Sequence, residues 1–197
     1  MCGRYYIDDS TSREIERIVR QVNEKLVRER EGREIMPSKA APVIVGRNEE
    51  FAEELFVWGF PGIQKKGLIF NARSETALQK PMFRESIRAR RCMIPAAGFY
   101  EWDSDKNKVT FEREDGRPLY LAGFYNEFDG QERFVILTTA ANETMQDVHD
   151  RMPLILEENE LNDWLFDDEK AEHLLKRKPC RLKKAGGYVP VSYTHLP

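Results

Sequence analysis

Arg91-Cys92-Met93-Ile94-Pro95-Ala96-Ala97-Gly98-Phe99-Tyr100-Glu101-Trp102 is the stretch on which the reading of the fold turns. Arg91 to Ile94 and Phe99 to Trp102 read as two strands separated by Pro95 and small residues. Lys108 to Arg113, Leu119 to Tyr125 and Arg133 to Thr139 follow as further strand candidates. Asp115-Gly116 and Asp129-Gly130 supply hairpin turns between them. Such a run predicts a mainly antiparallel sheet.

Working back toward the N-terminus, Met82 to Arg90 and Glu75 to Gln79 read as helices. Leu68 to Phe70 is a strand that delivers Asn71-Ala72-Arg73-Ser74 into a loop, and Glu54 to Phe60 and Pro42 to Val45 are strands before it. Met36-Pro37-Ser38 is a loop. Ile15, Ile18, Val19, Val22 and Leu26 recur at helical spacing, with N-caps offered by Ser10-Thr11-Ser12 and a stop at Gly32. Beyond the hairpins, Asn142 to Val148 forms a helical turn. Glu157 to Phe166 and Asp168 to Lys176 are helices with Trp164 and Leu165 facing in, and Val189 to Val191 is a last strand. The tail Ser192 to Pro197 has no pattern. The whole is α+β, one domain over 1–197, with helices flanking the sheet.

Composition bounds the function. The 197 residues, 41% hydrophobic, suffice for a real core. A net charge of -3 gives no global sign of nucleic-acid binding, so any such binding needs a local basic patch. Cys2, Cys92 and Cys180 are an odd, dispersed set, and only His149, His173 and His195 could join them. That argues against a disulfide framework or a zinc site, and no metal or cofactor is expected. No apolar h-region opens the chain, and no apolar run approaches the ~18 residues of a membrane span. The expectation is a cytoplasmic monomer with no membrane partner.

The residues that could carry chemistry sit apart in sequence. Removal of Met1 would leave Cys2 with an α-amine and a thiol on adjacent carbons, titrating near ~8 and ~8.5. Glu101, between Tyr100 and Trp102, either alternates outward to water or points into a cleft as a base with a raised pKa. His149 is a loop histidine, open to a surface or a catalytic role. Asn71 at a strand end is either a turn former or a site residue.

Met-Cys-Gly-Arg-Tyr at 1–5, Asn-Ala-Arg-Ser-Glu at 71–75, the Arg91 to Trp102 block and His-Asp-Arg-Met-Pro at 149–153, in that order, resemble the SRAP (SOS-response-associated peptidase) family of abasic-site processing proteins. The resemblance runs from Cys2 to about Val191. Ala97 stands where many members carry Asp, the loop near Met36 is looser than usual, and the tail is unlike the family ending.

The resemblance implies capture of the ring-opened aldehyde of an abasic site in single-stranded DNA. The Cys2 amine forms a Schiff base, and the thiol closes a thiazolidine at an effective molarity that can reach ~10⁵ M. Glu101 would act on the amine, His149 on the sugar ring oxygen, and Asn71 would hold Cys2 or the sugar. Self-removal of Met1 would account for the peptidase label, and the Schiff base opens a lyase-type side reaction. Arg4, Arg73 and Arg151 would hold phosphates, with Arg84, Arg88, Arg90 and Arg91 as a local basic stretch. Pro37, Trp58, Met82 and Trp102 are candidates for stacking or wedging, and Thr138 for a further DNA contact. The implied partner is abasic single-stranded DNA, with junctions as a candidate setting, so the protein would join the nucleoid when bound. Two rival readings are a Cys-dependent peptidase using Cys2, His149 and Asn71, and a non-covalent binder of DNA ends or modified bases.

Overall fold

The computed structural model describes residues 2–19, 33–62 and 66–185. Among them, a five-stranded sheet runs in the order β15 (Leu182–Ala185), β10 (Lys108–Arg113), β9 (Gly98–Trp102), β1 (Tyr5–Ile7), β2 (Arg33–Ile35). A larger sheet runs β13 (Arg151–Pro153), β12 (Gln131–Ala140), β4 (Glu50–Trp58), β3 (Ala40–Arg47), β8 (Arg91–Ala96), β11 (Leu119–Phe128), β14 (Ile155–Leu156). The strand β7 (Asn71–Arg73) joins it beside β12, and β5 (Phe60–Pro61) pairs with β6 (Leu68–Ile69). The helices are α1 (Asp9–Ile18), α2 (Ser74–Ala77), α3 (Pro81–Ala89), α4 (Leu161–Phe166) and α5 (Asp168–Leu174).

The sheet is mostly antiparallel, but β12 pairs in parallel with both β4 and β7. The larger sheet is covered on both faces. Along β12, Phe134 and Ile136 enter the core facing the smaller sheet, while Val135 and Leu137 enter the core beneath the helices. Cys92 and Ile94 divide from Met93 in the same way on β8. Double burial makes these strands read as continuous apolar runs, without alternation. The smaller sheet keeps its outer face to solvent and therefore does alternate.

Three expectations need correction. The strands at Arg91 to Ile94 and Phe99 to Trp102 do not share the single sheet expected, because β8 and β9 belong to different sheets and the chain crosses between them at Ala97-Gly98. Gly98 permits the crossing: a Cβ there would lie 2.6 Å from the Phe111 carbonyl oxygen and 2.8 Å from the Tyr6 ring. Likewise Asp115-Gly116 links β10 to β11 across sheets, so of the two expected turns Asp129-Gly130, with both residues at positive φ, is the one that closes a hairpin. Third, Asn71-Ala72-Arg73 is itself a strand, since β12 offers it a free edge.

Smaller differences follow tertiary pairing. Helix α1 is capped by Asp8, whose carboxylate accepts the Thr11 amide at 2.8 Å, and not by the Ser10-Thr11-Ser12 set. The expected Val22, Leu26, Gly32 and Val189 to Val191 features lie outside the described residues. No helix among the described residues is long and apolar enough to cross a membrane.

Candidate active site and nucleic-acid interface

Cys2 lies just ahead of β1 and is fully buried. The β1–β9 register sets Tyr5 opposite Phe99, and the Tyr100 amide donates to the Arg4 carbonyl at 2.9 Å. The chain preceding β1 is thereby drawn along Tyr100 to Trp102. Alternation on β9 turns Phe99 and Glu101 inward and leaves Trp102 outside; Glu101 is only 4% exposed. Glu101 thus faces inward and not to water. Its charge acts on Cys2: burial first, and the Glu101 carboxylate second, push the thiol up to about 12.

Asn71 reaches the same residue from the other sheet. Its Nδ2 donates to the Cys2 carbonyl at 2.8 Å. Its Oδ1 is buried and accepts no hydrogen bond among the described residues. Parallel pairing with β12 holds β7 in place, and the Trp58 indole N–H binds the Phe70 carbonyl just before it at 2.9 Å. Elements distant in sequence therefore converge on one cysteine.

His149 ends the turn after β12, its amide bonded to the Met145 carbonyl at 3.0 Å. Its Nδ1 lies 2.9 Å from both the Arg151 amide and the Asp150 carboxylate, and it accepts from the amide in the tautomer whose proton is on Nε2. On β12, Thr138 is opposite both Arg73 of β7 and Pro153 of β13, so one strand ties the Asn71 and His149 segments together.

The expected DNA contacts divide. Arg73 is exposed, with no carboxylate at ion-pair distance among the described residues. Trp102 and Met82 are 37% and 40% exposed, and Pro37 is half-buried in the turn before β3. Arg4 stacks over Trp102 at 5.3 Å and pairs with Glu34 at 3.2 Å. Thr138 is fully buried and bonded to Arg151 and the Ala72 carbonyl, which withdraws it from direct contact with DNA. Arg151 is also engaged: it binds Glu75 through both terminal nitrogens at 2.7 and 2.8 Å, and the Thr138 carbonyl at 2.7 Å. That guanidinium holds Glu75 below the usual carboxylate range. Arg151 therefore fixes the backbone that positions His149 and reaches a phosphate only by releasing Glu75. In the basic stretch, Arg84 and Arg88 are exposed, whereas Arg90 binds the Tyr125 carbonyl and Arg91 is buried against Ile87, Trp164 and Asp168.

Trp58 is a correction. It is fully buried, stacked at 6.0 Å on Phe134 and tilted against Tyr5 at 5.3 Å, and cannot meet a base. Trp58→Ala is expected to cost about 3–5 kcal/mol of folding stability, measured by urea unfolding. A stable variant that lost only DNA affinity would return Trp58 to the interface.

Sequence reasoning missed Glu75, Glu34 and Lys108 as parts of the site. Glu75 lies inside a quoted motif, but its partner is 76 residues away. Glu34 and Lys108 meet only through strand order, which sequence does not display.

The SOS response associated peptidase (SRAP) family model matches residues 1–192. The abasic site processing protein YoqW of Bacillus subtilis is 38% identical over 106 residues, 49% of this chain and 47% of that protein. The abasic site processing protein YedK of Escherichia coli is 32% identical over 139 residues, 66% of this chain and 63% of that protein. The matched segment spans about half the length of the Bacillus relative. A crystal structure of a Bordetella bronchiseptica protein superposes with a TM-score of 0.75 at 26% identity, covering 95% of this chain and 100% of that one.

Proposed function

This chain belongs to the SOS response associated peptidase family, and from that premise we propose that it captures abasic sites in single-stranded DNA covalently through Cys2. One observation carries the reading: a buried cysteine, second in the chain, with a carboxylate beside its thiol and its carbonyl held by Asn71.

Loss of Met1 frees the Cys2 amine. Glu101 accepts a proton from the ammonium, leaving a neutral amine that adds to the aldehyde carbon of the opened sugar. Water leaves and a C=N bond forms. The thiol sulfur then adds to the same carbon, its proton passes to the nitrogen, and a five-membered ring closes. A thiol held near 12 is protonated at neutral pH, so the amine acts first and the sulfur second. The same property weighs against the peptidase rival, which needs a thiolate as its opening nucleophile. The peptidase in the family description is met by removal of Met1 from the chain itself.

The earlier step is ring opening. An Nε2–H on His149 is a proton donor for the sugar ring oxygen, and the acceptor Nδ1 fixed by the Arg151 amide supports that tautomer. The free Oδ1 of Asn71 can accept from the Cys2 amine as it attacks. Arg73 and Arg4 bind flanking phosphates, and Trp102 and Met82 meet bases.

Intact mass after incubation with abasic single-stranded DNA tests the proposal. The expected species is the protein without Met1 plus the oligonucleotide, less one water. Full crosslinking by protein that retains Met1 would overturn the amine route.

A further inference from the structure

The outer face of the five-stranded sheet carries an arrangement that the chemistry at Cys2 does not use. Glu34 on β2 binds two cations through the same oxygen: Arg4 at 3.2 Å and Lys108 at 3.1 Å. Lys108 stands on β10, and β9 and β1 lie between β10 and β2. Its stem therefore crosses the sheet, with the ammonium 3.6 Å above the Tyr100 ring. Arg4 lies over Trp102, its Cζ 5.3 Å from the ring centroid. Both cations are thus pre-ordered on aromatic faces, where charge is partly desolvated and better able to hold an anion.

One oxygen shared by a guanidinium and an ammonium is also how a phosphate oxygen is held. The place is right for a nucleic acid. Arg4 is two residues from Cys2, and Lys108 is opposite Trp102 in the β9–β10 register. The carboxylate is exchangeable: Glu34, Arg4 and Lys108 side chains are 38%, 32% and 26% exposed, so the pairs are screened and weak.

We propose that Arg4 and Lys108 form a phosphate subsite next to the Cys2 site, filled by the Glu34 carboxylate in the free protein and by a DNA phosphate in the complex. The inference rests on the reading that this chain binds single-stranded DNA. Glu34 then acts as an internal competitor: strands that supply a phosphate there displace it, and other anions meet an occupied site.

Fluorescence anisotropy with an undamaged single-stranded oligonucleotide, over a salt series, tests it in a two-by-two set: wild type, Glu34→Gln, Lys108→Met and the double variant. Glu34→Gln should bind roughly two- to fivefold more tightly, the range of an exposed ion pair. Its salt slope should stay close to that of the wild type, because the same phosphate is neutralised in both complexes. Lys108→Met should weaken binding and flatten the slope by about 0.7. In the Lys108→Met background the gain from Glu34→Gln should shrink to less than half. An equal gain in both backgrounds would mean a general charge effect and would overturn the subsite while leaving the DNA-binding reading intact. Failure of the wild-type protein to bind the strand at all would overturn both.

Discussion

Cys2→Ala is expected to abolish the heat-stable adduct with abasic single-stranded DNA, and Cys2→Ser to leave at most an imine that borohydride must trap. Both variants keep the α-amine, so what they lose is ring closure. A sulfur on the adjacent carbon attacks the imine at an effective molarity that can reach ~10⁵ M, and neither a methyl nor a poorly nucleophilic hydroxyl replaces it. Without the ring, the imine returns to aldehyde or proceeds to strand elimination. A denaturing gel, with and without borohydride, separates these outcomes. Cys2 is buried but small, so both variants should fold, with circular dichroism as the control. A heat-stable adduct of wild-type yield from Cys2→Ala would place the nucleophile elsewhere.

The second large effect separates Glu101 from His149. Each substitution should slow reaction with a natural abasic site by roughly 10²–10⁴, the range of general acid–base catalysis. They should part company on a small aldehyde that is already open. Glu101→Gln should slow that substrate as well, because the amine must be neutral to attack any carbonyl. His149→Ala should slow it far less, because no sugar ring has to open. Single-turnover time courses on the two substrates decide the matter. Equal slowing of both by His149→Ala would remove it from ring opening and leave it a role in holding the Cys2 site.

Much of the fold could be read along the chain, and the reasons for the failures are physical. Lys108–Arg113 was read with its boundaries intact because it lies in a sheet with one wet face, where alternation is visible. The central strands were read short: Leu119–Phe128 and Gln131–Ala140 extend through their hairpin, since pairing prolongs strands beyond local propensity. The sheet crossing at Gly98 was invisible because a crossing and a hairpin share small residues and a bend. In the site, alternation alone posed the question of Glu101 but could not answer it. The answer depended on which face of β9 is covered. Asn71 was picked out, but its hydrogen bond to Cys2 spans 69 residues and belongs to the fold. Trp58 misled because a tryptophan near a functional strand reads alike whether it stacks on bases or packs beneath them.

The depth of Cys2 bears on how long this protein stays usable. Burial, and after it the Glu101 carboxylate, hold the Cys2 thiol in its protonated form at neutral pH, unlike an ordinary exposed cysteine. Peroxide and alkylating electrophiles react with the thiolate, so the oxidation ladder that inactivates exposed cysteines has almost no first rung here. On the proposed chemistry, Cys2 would stay unreactive toward oxidants until an imine forms beside it, and the molecule would outlast the oxidising conditions in which it is used.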